Sequence, residues 1–458
     1  SGPSCPWVTD QRGGVMGGFA ESIRNIWSVQ ELRGRILYTL GILLIYRLGT
    51  HVTLPGVDAA ALAQVRAQEG GGGLFGFLDM FVGGAFKQAG IFALGIMPYI
   101  TASIIIQLMG AVVPYFQKLQ REGEEGRRRI TQLTRYGTIG ITALQSIGYS
   151  INLLAGATGR AVVINSTLFT ITTVVVLTSG TAFVMWLGER ISEDGIGNGI
   201  SLIITIGIIA FLPQALYNEI GLIGDNFFIL LVEIGVWVLV AGAVVLVSQG
   251  MRRIPVQYAK RVVGKKVQGG TTQYLPLRVN AAGVMPIIFA QSIMFIPSTI
   301  ASFFPNNATM QRVGGWFSDI SSMSYSAVFF VVVVFFTYFY TAITVNPQEM
   351  ADTMKRQGGF IPGIRPGKQT SEFIDTVLTR ITLPGSIFLG LVAIFPAFAM
   401  QAGVSQGFAM FYGGTSLLIL VQVTLDTLQQ IESHLLMRHY DGFMKSGKMR
   451  SPRQGGGL

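Results

Sequence analysis

Ten long apolar runs constrain what this chain can fold into. A helix needs about 20 consecutive and mainly apolar residues to cross a bilayer, and ten stretches of the chain approach or exceed that length. They cover residues 36–54, 91–113, 133–154, 167–187, 197–213, 228–248, 284–303, 325–345, 379–400 and 411–431. The pattern predicts an all-α polytopic membrane protein with ten transmembrane helices.

The composition favours the same class of protein. Of the 458 residues, 50% are hydrophobic and only 12% are charged, whereas about 25% of the residues in a soluble domain are charged. Pro98 and Pro286 interrupt two of the runs. Backbone groups that such breaks release must find partners in neighbouring helices or in a wet cavity. We therefore expect a bundle around an interior rather than independent helices facing lipid.

The basic residues indicate the orientation in the membrane. If the N-terminus is inside, 28 of the 33 Lys and Arg residues fall on the inner side, including Arg135 and Arg380 at the inner ends of their runs. Only Arg66, Lys87, Arg160 and Arg312 fall outside, and Arg47 lies within the first run. Since Lys and Arg concentrate in cytoplasmic loops, both termini are predicted to be cytoplasmic. This topology explains the net charge of +10 more simply than a nucleic-acid site does.

The runs also set the expected domain boundaries. Residues 1–15 precede Met16 and contain the one cysteine, Cys5, and we expect them to be a non-native or disordered leader. The remaining divisions are a cytoplasmic N-terminal segment at 16–35, an N-terminal half at 36–213, a C-terminal half at 214–432 and a cytoplasmic tail at 433–458.

Two inner loops are long and basic. They lie between the sixth and seventh runs and between the eighth and ninth, and each has about thirty residues, although a connection needs only a few. A role in binding is one interpretation. A solvated loop that faces anionic lipid is the other.

One outer loop, Glu69 to Gly90, has the sequence EGGGGLFGFLDMFVGGAFKQAG. It is too short and too rich in glycine to span the membrane. Its centre could form about two apolar helical turns that fold back into a cavity, or a helix that lies flat in the interface.

Motifs for enzymatic chemistry are missing. His51, His434 and His439 form no metal-binding motif. The stretch PGIRPGKQT differs from a phosphate-binding loop because proline replaces the first glycine and glutamine replaces Ser or Thr. We predict no enzyme activity, no catalytic or metal-binding residues and no cofactor. Glu233 and Asp426 lie towards the ends of their runs, where we expect their carboxylates to snorkel to the interface.

Six stretches, in order along the chain, resemble the SecY/Sec61-alpha family. They are FALGIMPYITASIIIQL, EGEEGRRRITQLTRYGT, MWLGERISEDGIGNGISLI, LPLRVNAAGVMPIIFAQSI, NPQEMADTMKRQGGFIPGIRPGKQT and FYGGTSLLILV. The resemblance implies two inverted five-helix halves around an hourglass pore.

The resemblance also implies a function. Members conduct unfolded secretory polypeptides across the bacterial inner membrane and release membrane-protein segments sideways into it. The implied partners are SecE, SecG, the SecA ATPase, the ribosome through its RNA, signal peptides, unfolded polypeptides and membrane lipids.

The family's functional residues map onto this chain by motif. The implied pore ring is Ile96, Ile100, Ile200, Ile204, Ile288 and Ile419. The implied plug, about residues 74–82, contains Leu74, Phe75, Phe77, Leu78, Met80 and Phe81. The implied lateral gate contains Thr101, Gln145 and Gln291, and the implied surface for SecA and the ribosome contains Arg365, Lys265, Lys266, Arg252 and Arg253.

Other interpretations of the residues stay open at this point. The three gate residues could equally be helix-packing contacts. Ten spans broken by Gly and Pro are also compatible with an inverted-repeat secondary transporter of a small solute, or with a structural membrane scaffold. Conductance after removal of the plug would separate these classes.

Overall fold

The computed structural model describes residues 29–69, 79–154, 159, 161–223, 227–258, 261–263, 266–268, 272–280, 283–302, 307–317, 319–320 and 322–446. Residues 1–15, most of 16–35 and the end of the tail lie outside this part of the chain, as do Leu74, Phe75, Phe77, Leu78 and Lys265.

Helices dominate the described residues. They are α1 Gln30–Thr50, α2 Ala59–Glu69, α3 Met97–Val112, α4 Pro114–Arg121, α5 Glu124–Leu154, α6 Ser166–Asp194, α7 Gly199–Ile223, α8 Phe227–Gln249, α9 Met285–Ser302, α10 Ala308–Trp316, α11 Met323–Thr344, α12 Pro347–Arg356, α13 Lys368–Gln401, α14 Gln406–Ala409 and α15 Gly414–Ser446.

Ten of these helices overlap the ten apolar runs: α1, α3, α5, α6, α7, α8, α9, α11, α13 and α15. Within the described ranges, five helical segments are by themselves long and apolar enough to cross a membrane, and six if α3 and α4 form one broken span. The mostly helical fold is therefore confirmed, and the count of ten spans stays a prediction.

The second span differs from its predicted bounds. The apolar run begins at residue 91, but residues 91–96 form turns and α3 begins only at Met97. Gly95 has a φ of 51°, which glycine adopts readily, and Pro98 fits the first helical turn because that turn needs no N–H donor. Ile96 is therefore the residue before the helix rather than part of it.

The same run ends in a sharp bend. The axes of α3 and α4 differ by 99°, and Pro114 is the first residue of α4. Proline cannot donate a backbone hydrogen bond, so it breaks the helix before it and starts the next one.

The two long basic loops contain strands that their sequences did not lead us to predict. The strands are β1 Met251–Tyr258, β2 Arg261–Val263, β3 Lys266–Gln268, β4 Thr272–Arg278 and β5 Gly359–Phe360. β4, β1 and β5 form one antiparallel sheet in that order, which we call the loop sheet. The sheet joins the loop between α8 and α9 to the loop between α11 and α13.

The loop sheet has its own apolar core. Ile254 and Val256 alternate with exposed residues along β1, which is the period of a strand with one buried face. They cluster with Leu277 of β4, Met354 of α12 and Ile374 of α13. α13 begins at Lys368, eleven residues before the predicted span at 379, and its first turns cover this core.

A second and larger apolar cluster fills the helical bundle. Its buried members come from α1, α3, α6, α7, α8, α9, α11, α13, α14 and α15, and from the segments that precede α3 and α15. The cluster draws on both predicted halves of the chain, so the helices surround a shared interior.

Candidate functional site

The structure brings the six predicted ring residues into the large apolar cluster. Ile96, Ile100, Ile204 and Ile419 are buried members, with exposed fractions of 1–8%. Ile200 and Ile288 are partly buried and pack against the same cluster. Residues far apart in sequence thus belong to one apolar cluster.

The turn before α7 fixes the rotation of that helix. Gly197 has a φ of 86°, which favours glycine, and its N–H donates to Oε1 of Gln430 on α15 at 2.9 Å. Asn198 accepts from the N–H of Ser201 at 3.3 Å, which is a cap of the kind expected at a helix start. The turn therefore determines which face of α7 carries Ile204 into the cluster.

The described part of the predicted plug is buried. Residues 79–81 form one helical turn, and Met80 and Phe81 belong to the cluster that holds the isoleucines. The outer loop thus returns into the bundle at this point. For these residues, a helix lying flat in the interface is ruled out by their exposed fractions of 1% and 7%.

Two polar contacts that the sequence did not reveal hold this returning segment. Asp79 is 1% exposed and accepts from the N–H of Lys87 at 2.8 Å. Tyr149 of α5 donates its hydroxyl to the carbonyl of Phe86 at 2.9 Å. Asp79 within an apolar run was the available signal, because a carboxylate in such a place needs a partner.

The three predicted gate residues lie on neighbouring helices with different partners. The Thr101 hydroxyl donates to the carbonyl of Met97 in its own helix at 3.1 Å. Gln291 of α9 is buried and lines a small cavity together with Tyr325 of α11. Gln145 is half-buried on α5. α9 contacts both α3 and α5, so the helices that carry these residues do meet.

The three predicted docking arginines lie on the loop sheet and on the turn that follows it. Arg252 and Arg253 are exposed on β1. Arg365 is exposed between Gly363 and Gly367, whose φ angles are 85° and 108°.

Lysine 266 lies in β3, opposite Val263. Lys265 falls outside the described residues. The described part of the predicted surface therefore lies on β1 of the loop sheet, on a separate two-stranded sheet formed by β2 and β3, and on the glycine-bounded turn.

Glu219 of α7 and Trp237 of α8 connect these helices to the region before α15. Glu219 is 1% exposed, and its carboxylate accepts from the N–H of Ser405 at 3.0 Å and also from the Ser405 hydroxyl. Trp237 donates its indole N–H to the carbonyl of Phe411 at 2.8 Å. Glu233 lies one turn before Trp237 and is half-buried. Its Oε2 is buried and accepts no hydrogen bond from the described residues, and its snorkelling stays a prediction.

These features define a multi-pass helical membrane protein whose interior is filled by an apolar cluster and by a loop that returns into it. The family model described as SecY matches residues 90–428. The protein translocase subunit SecY of Streptomyces scabiei is 45% identical over 433 residues, which cover 91% of this chain and 97% of that protein. The SecY of Mycobacterium tuberculosis H37Rv is 43% identical over 449 residues, covering 94% and 100%. The chain belongs to the SecY family.

Solved structures share the fold. A protein-conducting channel matches with a TM-score of 0.61 at 17% identity, covering 91% of this chain and 94% of that one. The Sec61 channel of a canine ribosome–channel complex from the endoplasmic reticulum matches with a TM-score of 0.58 at 16% identity, with the same coverage. At these identities the matches establish the architecture alone.

Proposed function

We propose that this protein is the pore of a bacterial protein translocase. It conducts unfolded secretory polypeptides across the inner membrane and releases membrane-protein segments sideways into the bilayer. The observation that carries the proposal is the convergence of six motif-matched isoleucines with Met80 and Phe81 in one apolar cluster. Membership of the SecY family supports it.

An apolar ring suits the two demands on such a pore. A narrow collar of branched apolar side chains does not hydrate, so it blocks ions by dewetting. The same side chains bind no particular sequence and can rearrange around an extended polypeptide. Ile96, Ile100, Ile204 and Ile419, which are buried together, serve as the collar in the resting state, and the returning segment seals it from one side.

The lateral exit lies between the two halves of the chain. The halves, 36–213 and 214–432, supply α3 and α5 on one side of this gate and α9 and α11 on the other. The contact of α9 with α3 and α5 supports this assignment. Thr101, Gln145 and Gln291 are the polar residues at the gate, and Tyr325 lines the same small cavity as Gln291.

The loop sheet is the docking surface for the partner that drives translocation. Arg252, Arg253 and Arg365 are exposed there, which suits the phosphates of ribosomal RNA and the acidic groups of the SecA ATPase. With ten spans, this surface and both termini face the cytoplasm. The small subunits SecE and SecG complete the channel in the membrane.

Glycine substitutions in the collar test the function. Replacing Ile96, Ile100, Ile200 and Ile204 together with glycine widens the constriction and lets it hydrate. We expect the ion conductance of vesicles containing the reconstituted channel to rise by at least about tenfold. An unchanged conductance would remove the collar assignment.

A matched control separates the collar from a general loss of helix stability. Glycine in a helix costs about 1 kcal/mol at each position, wherever the side chain points. Glycine at Ile171 and Ile209, which are 60% and 44% exposed, carries that cost without touching the cluster. These control variants are expected to leave the conductance at its basal value.

A further inference from the structure

Arg47 is a charged residue in an apolar span, and the proposed function gives it no role. It lies in the last turn of α1. Its Nη1 donates to the carbonyl of Gly83 and lies 3.5 Å from the Thr50 hydroxyl. Gly83 immediately follows the predicted plug, so the guanidinium holds the main chain at the end of that segment.

The residue before it makes a parallel contact. Tyr46 is 1% exposed, and its hydroxyl donates to the carbonyl of Val82 at 3.4 Å. Two consecutive side chains of α1 therefore bind two consecutive carbonyls of the returning segment. A buried carbonyl without a donor is costly, and a hydrogen bond from a charged donor is the stronger kind.

α7 closes on the same stretch from another direction. A Cβ at Gly207 would lie 2.5 Å from the carbonyl oxygen of Phe81 and 3.2 Å from the nitrogen of Gly83. Only a glycine permits this approach of the two backbones. Gly207 lies three residues after Ile204, nearly one helical turn, so the contact borders the collar.

Residues 86–91 are held by hydrogen bonds to other parts of the chain. Ala89 accepts from the N–H of Leu54 at 2.8 Å, Ile91 donates to the carbonyl of Val52 at 2.8 Å, and Phe86 accepts from Tyr149. Gly84, with a φ of 95°, lies between these attachments and the contacts of Val82 and Gly83. The segment thus has a fixed part after residue 85 and a part before it that α1 and α7 hold, and the hydrogen bond between Asp79 and Lys87 joins the two parts.

We propose that Tyr46 and Arg47 of α1, together with Gly207 of α7, form a latch that holds residues 79–83, the described end of the predicted plug, against the isoleucine collar. Gly83 and Gly84 are the pivot about which this end leaves when the latch opens and the hydrogen bond between Asp79 and Lys87 breaks. All three latch residues belong to the N-terminal half, so the plug stays attached to that half when the two halves separate. This inference rests on the proposed function, because it assigns the residues that position its plug.

The test measures ion conductance of the assembled channel with its small subunits in lipid vesicles. Arg47→Met removes both charge and donor, and we expect the conductance to rise by about tenfold. Arg47→Lys keeps a cation that can still donate to the carbonyl of Gly83 and is expected to restore most of the seal. Gly207→Ala displaces the plug backbone and should leak like Arg47→Met.

Two comparisons keep the test specific. Gly221→Ala, on the same helix but with open space around the new Cβ, should conduct like the unaltered channel. Deletion of residues 74–82 should raise the conductance, and adding Arg47→Met to that deletion should raise it no further, because a latch without a plug has nothing to hold.

The possible failures differ from one another. If the deletion leaves the conductance unchanged, the proposed plug is wrong. If the deletion leaks but Arg47→Met and Gly207→Ala do not, the plug stands and the latch is overturned. Additional leak in the double variant would also overturn the latch. If the Arg47→Met channel fails to assemble, the conductance of the Gly207→Ala and Tyr46→Phe channels decides. If both of these variants keep the basal conductance, the latch is refuted.

Discussion

The returning segment at residues 79–96 and the loop sheet are held in opposite ways. The segment is buried, and its polar groups are bound one by one, as Asp79 is by Lys87 and Phe86 is by Tyr149. The loop sheet is held by a regular ladder from Met251–Arg278 to Gln257–Thr272 over a small apolar core, and its basic side chains point outward.

The two regions are expected to contribute differently. Polar contacts in the buried segment stabilise the fold, whereas exposed charges on the loop sheet are available to a partner. Loss of one partner in the buried segment leaves a polar group unsatisfied, which costs about 1–3 kcal/mol. Loss of an exposed charge on the loop sheet costs almost nothing in folding but removes an attraction that a partner needs. Substitutions should therefore divide into those that alter the seal and those that alter docking.

Charge reversal at Arg365 should produce the largest effect and leave the fold intact. Arg365 is exposed in a glycine-bounded turn, so Arg365→Glu disturbs no packing and turns attraction into repulsion. We expect loss of most SecA-driven transport in membrane vesicles, with unchanged channel assembly and unfolding temperature. Arg312→Glu, an exposed arginine of α10, is the matched control. Normal transport by Arg365→Glu would show that this turn is not the docking site.

Removal of the buried carboxylate should have the next largest effect. Asp79→Ala leaves the N–H of Lys87 without its acceptor, and we expect a loss of about 2 kcal/mol in local stability. Hydrogen exchange of residues 79–91 would report it as faster exchange. Asp352→Ala, at an exposed residue of α12, should change exchange near the loop sheet by less than about 0.5 kcal/mol. If Asp79→Ala and Asp352→Ala changed hydrogen exchange equally, the buried segment and the loop sheet would not differ in how they are stabilised.

Neutralising the strand arginines should have the smallest effect, visible mainly in its dependence on salt. Replacing Arg252 and Arg253 with glutamine removes two candidate phosphate contacts. The slope of log affinity for ribosomes against log salt should fall by roughly 1.8, at about 0.9 per contact. The unfolding temperature should not move. A lower affinity with an unchanged slope would assign these arginines to contacts other than phosphate.

Local sequence sufficed for the helices and for part of the site. Hydrophobicity is additive along a segment, so the run at 228–248 predicted α8 within one residue at each end. The ring isoleucines came from motifs; four of them are buried in one cluster and two pack against it, and the ring itself stays a prediction.

The latch contacts could not be predicted in the same way. Arg47 and Gly83 are 36 residues apart, and the sequence around each of them gives no sign that they are in contact. Gly207 reads as one more glycine in a membrane helix until its distance from Phe81 is known.

By itself the sequence determined the class of protein, the positions of the ten apolar runs and the family. Tertiary structure decided the rest. β1 pairs with β5, about 100 residues away, α3 begins at Met97 rather than at 91, and Glu219 meets Ser405. The physical reason is that burial of apolar surface is dictated by composition, whereas each polar group inside the bundle is satisfied by whichever distant partner the fold brings to it.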